Sequence, residues 1–184
     1  MAKRLMDIVI ALALALPALV LCALACIAIR AESRGAPVFA QIRVGRHRRP
    51  FTLYKLRTMG KDTGDRASHE VSAAQITRVG GFLRRVKLDE LPQVLNVLLG
   101  QMSFVGPRPC LPSQAELIAE RAQRDVFAIR PGITGPAQLA GIDMSTPRRL
   151  AEADAAYIAS RSFSGDLKLI LATATGGGRG DAVK

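Results

Sequence analysis

Tryptophan is absent from this chain of 184 residues, and two tyrosines and six phenylalanines supply all its aromatic surface. A protein that holds single-stranded nucleic acid by stacking on its bases needs more aromatic faces than that. Cysteine is scarce as well. Cys22 and Cys26 fall in an apolar stretch and Cys110 stands alone, which is no disulfide framework and suits reduced thiols in a cytoplasm-facing protein. His47 and His69 are the two histidines, and neither has metal-ligand spacing to a cysteine. No Walker loop and no dinucleotide fingerprint occurs. Acids are in deficit, 15 against 26 Lys and Arg, for a net charge of +11. The imbalance is concentrated: between Arg30 and Gly60, Arg30, Arg34, Arg43, Arg46, Arg48, Arg49, Lys55 and Arg57 face Glu32 alone. Such a cluster suits nucleic acid, anionic lipid or a phosphorylated substrate, and charge by itself does not choose among them.

What the chain does have is a run from Ile8 to Ile29 with no charged residue, 22 positions interrupted by Pro17. The run is long enough to cross a bilayer and too long for the apolar region of a signal peptide. Lys3 and Arg4 precede it; Arg30, Arg34, Arg43, Arg46, Arg48 and Arg49 follow it. Basic flanks stay on the cytoplasmic side, so a straight span would export one flank, whereas a helix that folds back keeps both inside. Pro17 removes a backbone donor and crowds the preceding turn, which kinks a helix, although proline also occurs in helices that simply span. The expected organisation is a re-entrant membrane helix over 1–30 with its break at Pro17, a catalytic domain over 31–175 and a disordered glycine-rich tail over 176–184.

In the domain, Val38–Ile42 and Phe51–Leu56 alternate across a Gly45 to Pro50 connection and predict a β-hairpin. A polar loop is expected at 60–75 and a helix at Ile76–Val86. Leu88, Leu91, Val94, Leu95 and Leu98 have helical spacing, with Gly100 as the stop. Further helices are expected at 112–127, 146–160 and 165–175. Gly106-Pro107-Arg108-Pro109 and Arg130-Pro131-Gly132-Ile133-Thr134-Gly135 read as rigid connections. The fold class is therefore α+β and mainly helical, with amphipathic helices that suit a membrane interface as well as an ordinary core.

The chemistry centres on Lys87-Leu88-Asp89-Glu90-Leu91-Pro92-Gln93. Adjacent acids at a helix start commonly only cap it and answer its dipole. Here they follow Arg84, Arg85 and Lys87, and cationic neighbours keep carboxylates ionised. An ionised Asp can attack phosphorus, and one or two carboxylates with substrate phosphates make a Mg²⁺ site. Arg108, held between two prolines, is a guanidinium on a stiff mount. Lys55 and Arg57 project from the hairpin, and Arg130 opens a second rigid turn. Two acids among these cations describe a diphosphate site.

With these pieces in order, the chain resembles the monotopic phosphoglycosyl transferases, the bacterial sugar transferase family in its small, minimal-domain form. The likeness extends from Lys3 to Ala172 and rests on an apolar segment with central Pro17, Phe39-Ala40-Gln41-Ile42-Arg43-Val44-Gly45, Tyr54-Lys55-Leu56-Arg57-Thr58-Met59, Leu88–Leu98, Met102–Pro109 and Arg130–Gln138. The resemblance implies that Asp89 attacks the β-phosphate of a UDP-sugar, releasing UMP, and that undecaprenyl phosphate then takes the sugar phosphate from the enzyme. It makes Glu90 the acidic partner at a Mg²⁺ site, with either acid as ligand. It gives Lys55, Arg57, Arg84 and Arg108 to the substrate phosphates, and Arg130 and Gln138 to the nucleotide. It also implies a re-entrant helix, a bacterial inner membrane location with the catalytic domain on the cytoplasmic face, lipid contact, and no nucleic-acid partner. The transferred sugar and the oligomeric state, a homodimer included, are left open. Leu16 stands where the family often has Ser, Ile142 where it usually has Arg, and Cys110 and Pro136 where Leu is more usual. A different class of function, a basic membrane-anchored binding module without catalysis, would be indifferent to Asp89→Asn.

Overall fold

A computed structural model describes residues 2–60 and 75–177; the loop expected at 60–75 and the tail at 176–184 lie almost wholly outside the described residues. Helix α1 covers Ala2–Glu32, β1 Val38–Val44 and β2 Pro50–Leu56. Then follow α2 (Arg78–Arg85), α3 (Gln93–Leu98), β3 (Ser103–Val105), α4 (Ala115–Ala122), β4 (Gly132–Thr134), α5 (Pro136–Leu139), α6 (Pro147–Ser160) and α7 (Phe163–Ala174). Among the described residues, seven α-helices and two small sheets make this an α+β fold, mainly helical.

α1 is apolar on every side because nothing between Asp7 and Arg30 carries a charge, and helix continues on both sides of Pro17. Among the described residues it is the one helix long and apolar enough to cross a membrane. Its buried positions Ala11, Ala18 and Ala25 recur every seven residues, so they share one face, and alanine lets that face approach its neighbours closely. Leu12, Leu16, Leu19 and Leu24 are exposed, Leu16 to 71%.

Both ends of α1 are fastened to the same body. Near its start, Arg4 donates to the Val97 and Leu98 carbonyls at 2.7 and 3.1 Å. Asp7 accepts from Ser103 Oγ and Phe104 N. Lys3 pairs with Asp166 at 2.5 Å. Near its end, Ala25 and Ile29 pack with Leu56 and Leu83, and the Glu32 carboxylate accepts from the first amides of α2, Arg78 N and Val79 N.

β1 and β2 form the expected antiparallel hairpin, in register from Val38 opposite Leu56 to Val44 opposite Pro50. His47 and Arg48 in its turn have positive φ. α2 is shorter than predicted because Thr77 caps it, accepting from Gly80 N. Gly100, at φ +77°, closes the turn after α3 as the left-handed geometry there demands. The helix expected at 112–127 is interrupted: α4 ends at Ala122, and left-handed Asp125 leads into a 3₁₀ turn.

The two segments read as rigid connections hold more than turns. β3 and β4 pair in parallel, and flanking bonds run from Gly106 N to Thr134 O and from Gly132 N to Pro107 O. A Cβ on Gly132 would lie 2.1 Å from the Gly106 amide nitrogen, so close approach of two backbones, rather than a special φ, requires glycine at both positions.

The central core gathers Ala11 of α1, Phe51 and Leu53 of β2, Val94 and Val97 of α3, Met102, Phe104 and Val105 around β3, and Tyr157 of α6. Burying each of the larger side chains contributes about 1.5–3 kcal/mol. A second cluster under β1 holds Cys110, Leu117, Ala137 and Leu150.

Candidate active site

Lys87 takes a left-handed conformation (φ 58°) and turns the chain out of α2 into a 3₁₀ turn, Leu88–Glu90. Leu88 packs inward beside Ile29 of α1, and Pro92, whose ring presets a helical φ, leads into α3. Asp89 and Glu90 are thereby held at the start of α3, where the helix dipole favours negative charge. Asp89 is only 5% exposed.

Two cations from distant parts of the chain meet on one oxygen of Glu90. Lys55 Nζ lies 3.1 Å from Oε1 and Arg108 Nη2 lies 3.0 Å from it. Asn96 sets the distance between Lys55 and the acids. Its side chain accepts from Tyr54 N at 3.2 Å and donates to Thr52 O at 2.7 Å, so α3 is bonded to β2 on both sides of Leu53. Arg84, in the last turn of α2, donates from Nε to Thr58 Oγ1 at 2.9 Å, which ties it to the chain three residues past Lys55.

The mount beneath Arg108 is built from its neighbours. Three successive carbonyls are each held: Arg108 O by Arg121 Nη1 at 2.8 Å, Pro109 O by Arg43 Nη1 at 3.1 Å, and Cys110 O by Val44 N at 2.9 Å. Arg121 is 1% exposed and pairs with Asp154 of α6 at 2.7 Å. Burial pushes the Asp154 carboxyl up from its ordinary value, with Arg121 opposing the shift. Burial likewise raises the Cys110 thiol, against the pull of Arg121 and Arg43.

Of the residues singled out in the sequence, Lys55, Glu90 and Arg108 are in direct contact, with Asp89 adjoining in the same turn and Arg84 on the neighbouring helix. Arg57 is turned away, donating to Ser33 O, Ser33 Oγ and Arg34 O at the end of α1. Gln138 lies in α5, just after β4, donating to Ile133 O; its Oε1 would lie 2.9 Å from a Cβ on Gly135, a residue packed on Gly106, two positions from Arg108. Arg130 is not with the acids: its Nε donates to Gly100 O, beyond the far end of α3. Arg43, Asn96, Arg121 and Asp154 were not singled out. Arg43 and Asn96 sit inside quoted motifs, and Arg121 and Asp154 carry no signal beyond charges at helical positions.

The arrangement can bind a diphosphate against Lys55, Arg84 and Arg108 with a buried carboxylate at hand. A family model described as bacterial sugar transferase matches residues 1–178. The UDP-glucose:undecaprenyl-phosphate glucose-1-phosphate transferase of Caulobacter vibrioides is 41% identical over 182 residues, covering 93% of this chain and 67% of that protein. The exopolysaccharide production protein PSS of Rhizobium leguminosarum bv. phaseoli is 39% identical over 161 residues, 79% of each. The UDP-N-acetylgalactosamine-undecaprenyl-phosphate N-acetylgalactosaminephosphotransferase of Aeromonas hydrophila is 35% identical over 188 residues, 93% of this chain and 42% of that one. With the match running through the apolar helix α1, the acids and the arginine turns alike, this chain belongs to the bacterial sugar transferase family.

Proposed function

We propose that the protein transfers a sugar 1-phosphate from a UDP-sugar to undecaprenyl phosphate at the cytoplasmic face of a bacterial inner membrane, a first membrane step in building a glycoconjugate or exopolysaccharide. The observation that carries this reading is the meeting of Lys55 and Arg108 on Glu90, directly beside buried Asp89. The names of the relatives supply the nucleotide and the lipid acceptor; they differ in the sugar.

In the first step a carboxylate oxygen of Asp89 attacks the β-phosphorus of the donor. The bond from that phosphorus to the bridging oxygen breaks, and UMP leaves with the electron pair. The enzyme then carries the sugar phosphate on Asp89. In the second step an oxygen of undecaprenyl phosphate attacks the same phosphorus, the aspartyl P–O bond breaks, and the free carboxylate returns. Such transfers depend on in-line positioning and charge neutralisation more than on acid–base machinery. Lys55, Arg84 and Arg108 meet the phosphate charge, and Glu90 keeps two of these cations in place before substrate arrives. Gln138, beside the Arg108 turn, stays on the nucleotide side of this reading.

The donor set suits Mg²⁺: two adjoining carboxylates, with no cluster of three or more His, Cys, Asp or Glu among the described residues, match an ion that takes one or two acids and completes its shell with phosphate oxygens and water. Asp89 and Glu90 would hold it, and when bound it would offset charge on the diphosphate.

The membrane reading is supported by α1. A spanning helix places its ends on opposite sides of a hydrocarbon layer about 30 Å thick, yet both ends of α1 are bonded to one body, and Pro17 lies between them as the place to bend. α7 adds an exposed stripe, Phe163, Leu167 and Leu171, at four-residue intervals, suited to lying on the same surface.

The test is intact-mass analysis of protein in nanodiscs with Mg²⁺ and a panel of UDP-sugars, without acceptor, alongside Asp89→Asn. A gain of one sugar phosphate with UMP release, absent in the variant, is expected. UMP release undiminished in Asp89→Asn would remove Asp89 as nucleophile, and salt-sensitive membrane binding without turnover would favour a binding module.

A further inference from the structure

Three arginines from three separate elements converge past the C-terminal end of α3, away from the acids. Arg4, on the first turn of α1, uses Nη1 and Nη2 on the Val97 and Leu98 carbonyls. Arg130 uses Nε on Gly100 O, and Gly100 itself lies against Arg4, whose Nη2 is 3.5 Å from the position a Cβ there would take. Arg46, in the hairpin turn, uses Nε on Ala128 O, two residues before Arg130. The terminal nitrogens of Arg46 and Arg130 make no hydrogen bond or ion pair among the described residues. The acid that bears on Arg130, Asp7, is committed to Ser103 Oγ at 3.0 Å and Phe104 N at 3.1 Å. Burial, with the Arg4 and Arg46 charges, pushes the Arg130 guanidinium below its usual value. Helix-end carbonyls answer part of this charge and leave two guanidinium forks open.

We infer that Arg4, Arg46 and Arg130 form a binding site for the phosphate headgroup of an anionic glycerophospholipid from the surrounding bilayer. Forked donors on two guanidiniums match the paired oxygens of a phosphodiester. The height is right: Arg4 precedes the uncharged run that begins at Ile8, so it sits where a helix leaves the hydrocarbon for the headgroups. Acyl chains have a surface to follow, because Leu5, Val9 and Leu99 beside the cluster are 65%, 57% and 59% exposed. The reacting lipid phosphate does not fit here. Gly100 lies ten residues past Glu90 with all of α3 between them, and those six helical residues alone extend about 9 Å. The site therefore holds the domain at a set height on the membrane and takes no part in the transfer. It rests on the membrane-embedded reading of α1 and is independent of the chemistry at Asp89.

The test is native mass spectrometry of the detergent-solubilised protein titrated with phosphatidylglycerol or phosphatidylcholine. The wild type should retain phosphatidylglycerol about tenfold better, the margin of one charged hydrogen-bonded contact. Arg46→Glu should abolish the preference and Arg46→Lys should keep most of it. Arg49→Glu, an equal charge change in the same turn, should leave it within about twofold, since Arg49 lies outside the cluster. Equal retention of the two lipids by the wild type would overturn the site, as would equal losses in Arg46→Glu and Arg49→Glu, which would mean diffuse charge only. Displacement of phosphatidylglycerol by millimolar inorganic phosphate would overturn the lipid as occupant. A wild type that retains neither lipid would sink the membrane reading together with this one.

Discussion

The two ends of α3 hold opposite arrangements of the same ingredients. At its start, Lys55 and Arg108 are spent on Glu90, beside a second acid. At its far end, Arg4, Arg46 and Arg130 are spent on carbonyls, with no ion pair among the described residues. The helix dipole favours both, so position along the helix does not separate a reactive site from a holding site. The partner does. Cations paired to a carboxylate can be re-partnered by an incoming phosphate at little net change in charge, and Asp89, the proposed nucleophile, stands beside them. Cations resting on carbonyls have no acid to give up, and Arg46 and Arg130, bonded through Nε, keep their forks open, which suits an anion that stays.

The contrast can be broken at the first end by removing the proposed nucleophile. Asp89→Asn should lower UMP release by about three orders of magnitude or more, measured in a coupled nucleotide assay, with the melting temperature preserved. Next in size is the mount of Arg108. Asp154→Ala leaves Arg121 buried without its acid and should cost about 3–5 kcal/mol of stability, read as a lowered denaturation midpoint. Arg108→Lys keeps the charge and loses the fork, so kcat/KM should fall about tenfold to a hundredfold while the melt stays put; an unchanged kcat/KM would mean that charge alone suffices there. At the second end, Arg4→Gln gives up two bonds to the α3 carbonyls. A loss of about 1–3 kcal/mol is expected by thermal shift, and no loss would mean that packing and the bonds of Lys3, Asp7 and Glu32 suffice to hold α1.

Much of this was legible. The hairpin followed from alternation and a Gly–Pro boundary, and its register is local. A helix was expected over Ile76–Val86, where α2 lies, and apolar spacing from Leu88 to Leu98 marked α3, which begins later, at Gln93, behind a 3₁₀ turn; charge and stiffness around one motif picked out Lys55, Glu90 and Arg108, which meet in the fold. The β3–β4 pair was not legible. Each strand is three residues long, too short for any periodicity, and what defines the pair is contact between segments 27 or more residues apart in sequence. Arg57 and Arg130 illustrate the other limit: charge marks them, but whether a guanidinium turns to a phosphate or to a carbonyl depends on which main chain happens to lie beside it. Asp7 left a faint trace as a lone acid at the edge of an apolar run, and its bonds to Ser103 and Phe104 explain why an acid is tolerated there.

The bond from Lys3 to Asp166 joins residues 163 apart in sequence, and Tyr157 donates to the same carboxylate. During synthesis α1 is therefore made long before this clasp can close, although its bonds through Arg4, Asp7 and Glu32 can form earlier. Contacts of such long range form slowly, so closure of this clasp is a late step in assembly: a chain interrupted before Asp166 would hold the start of α1 through Arg4 and Asp7 without the ion pair that completes the fastening.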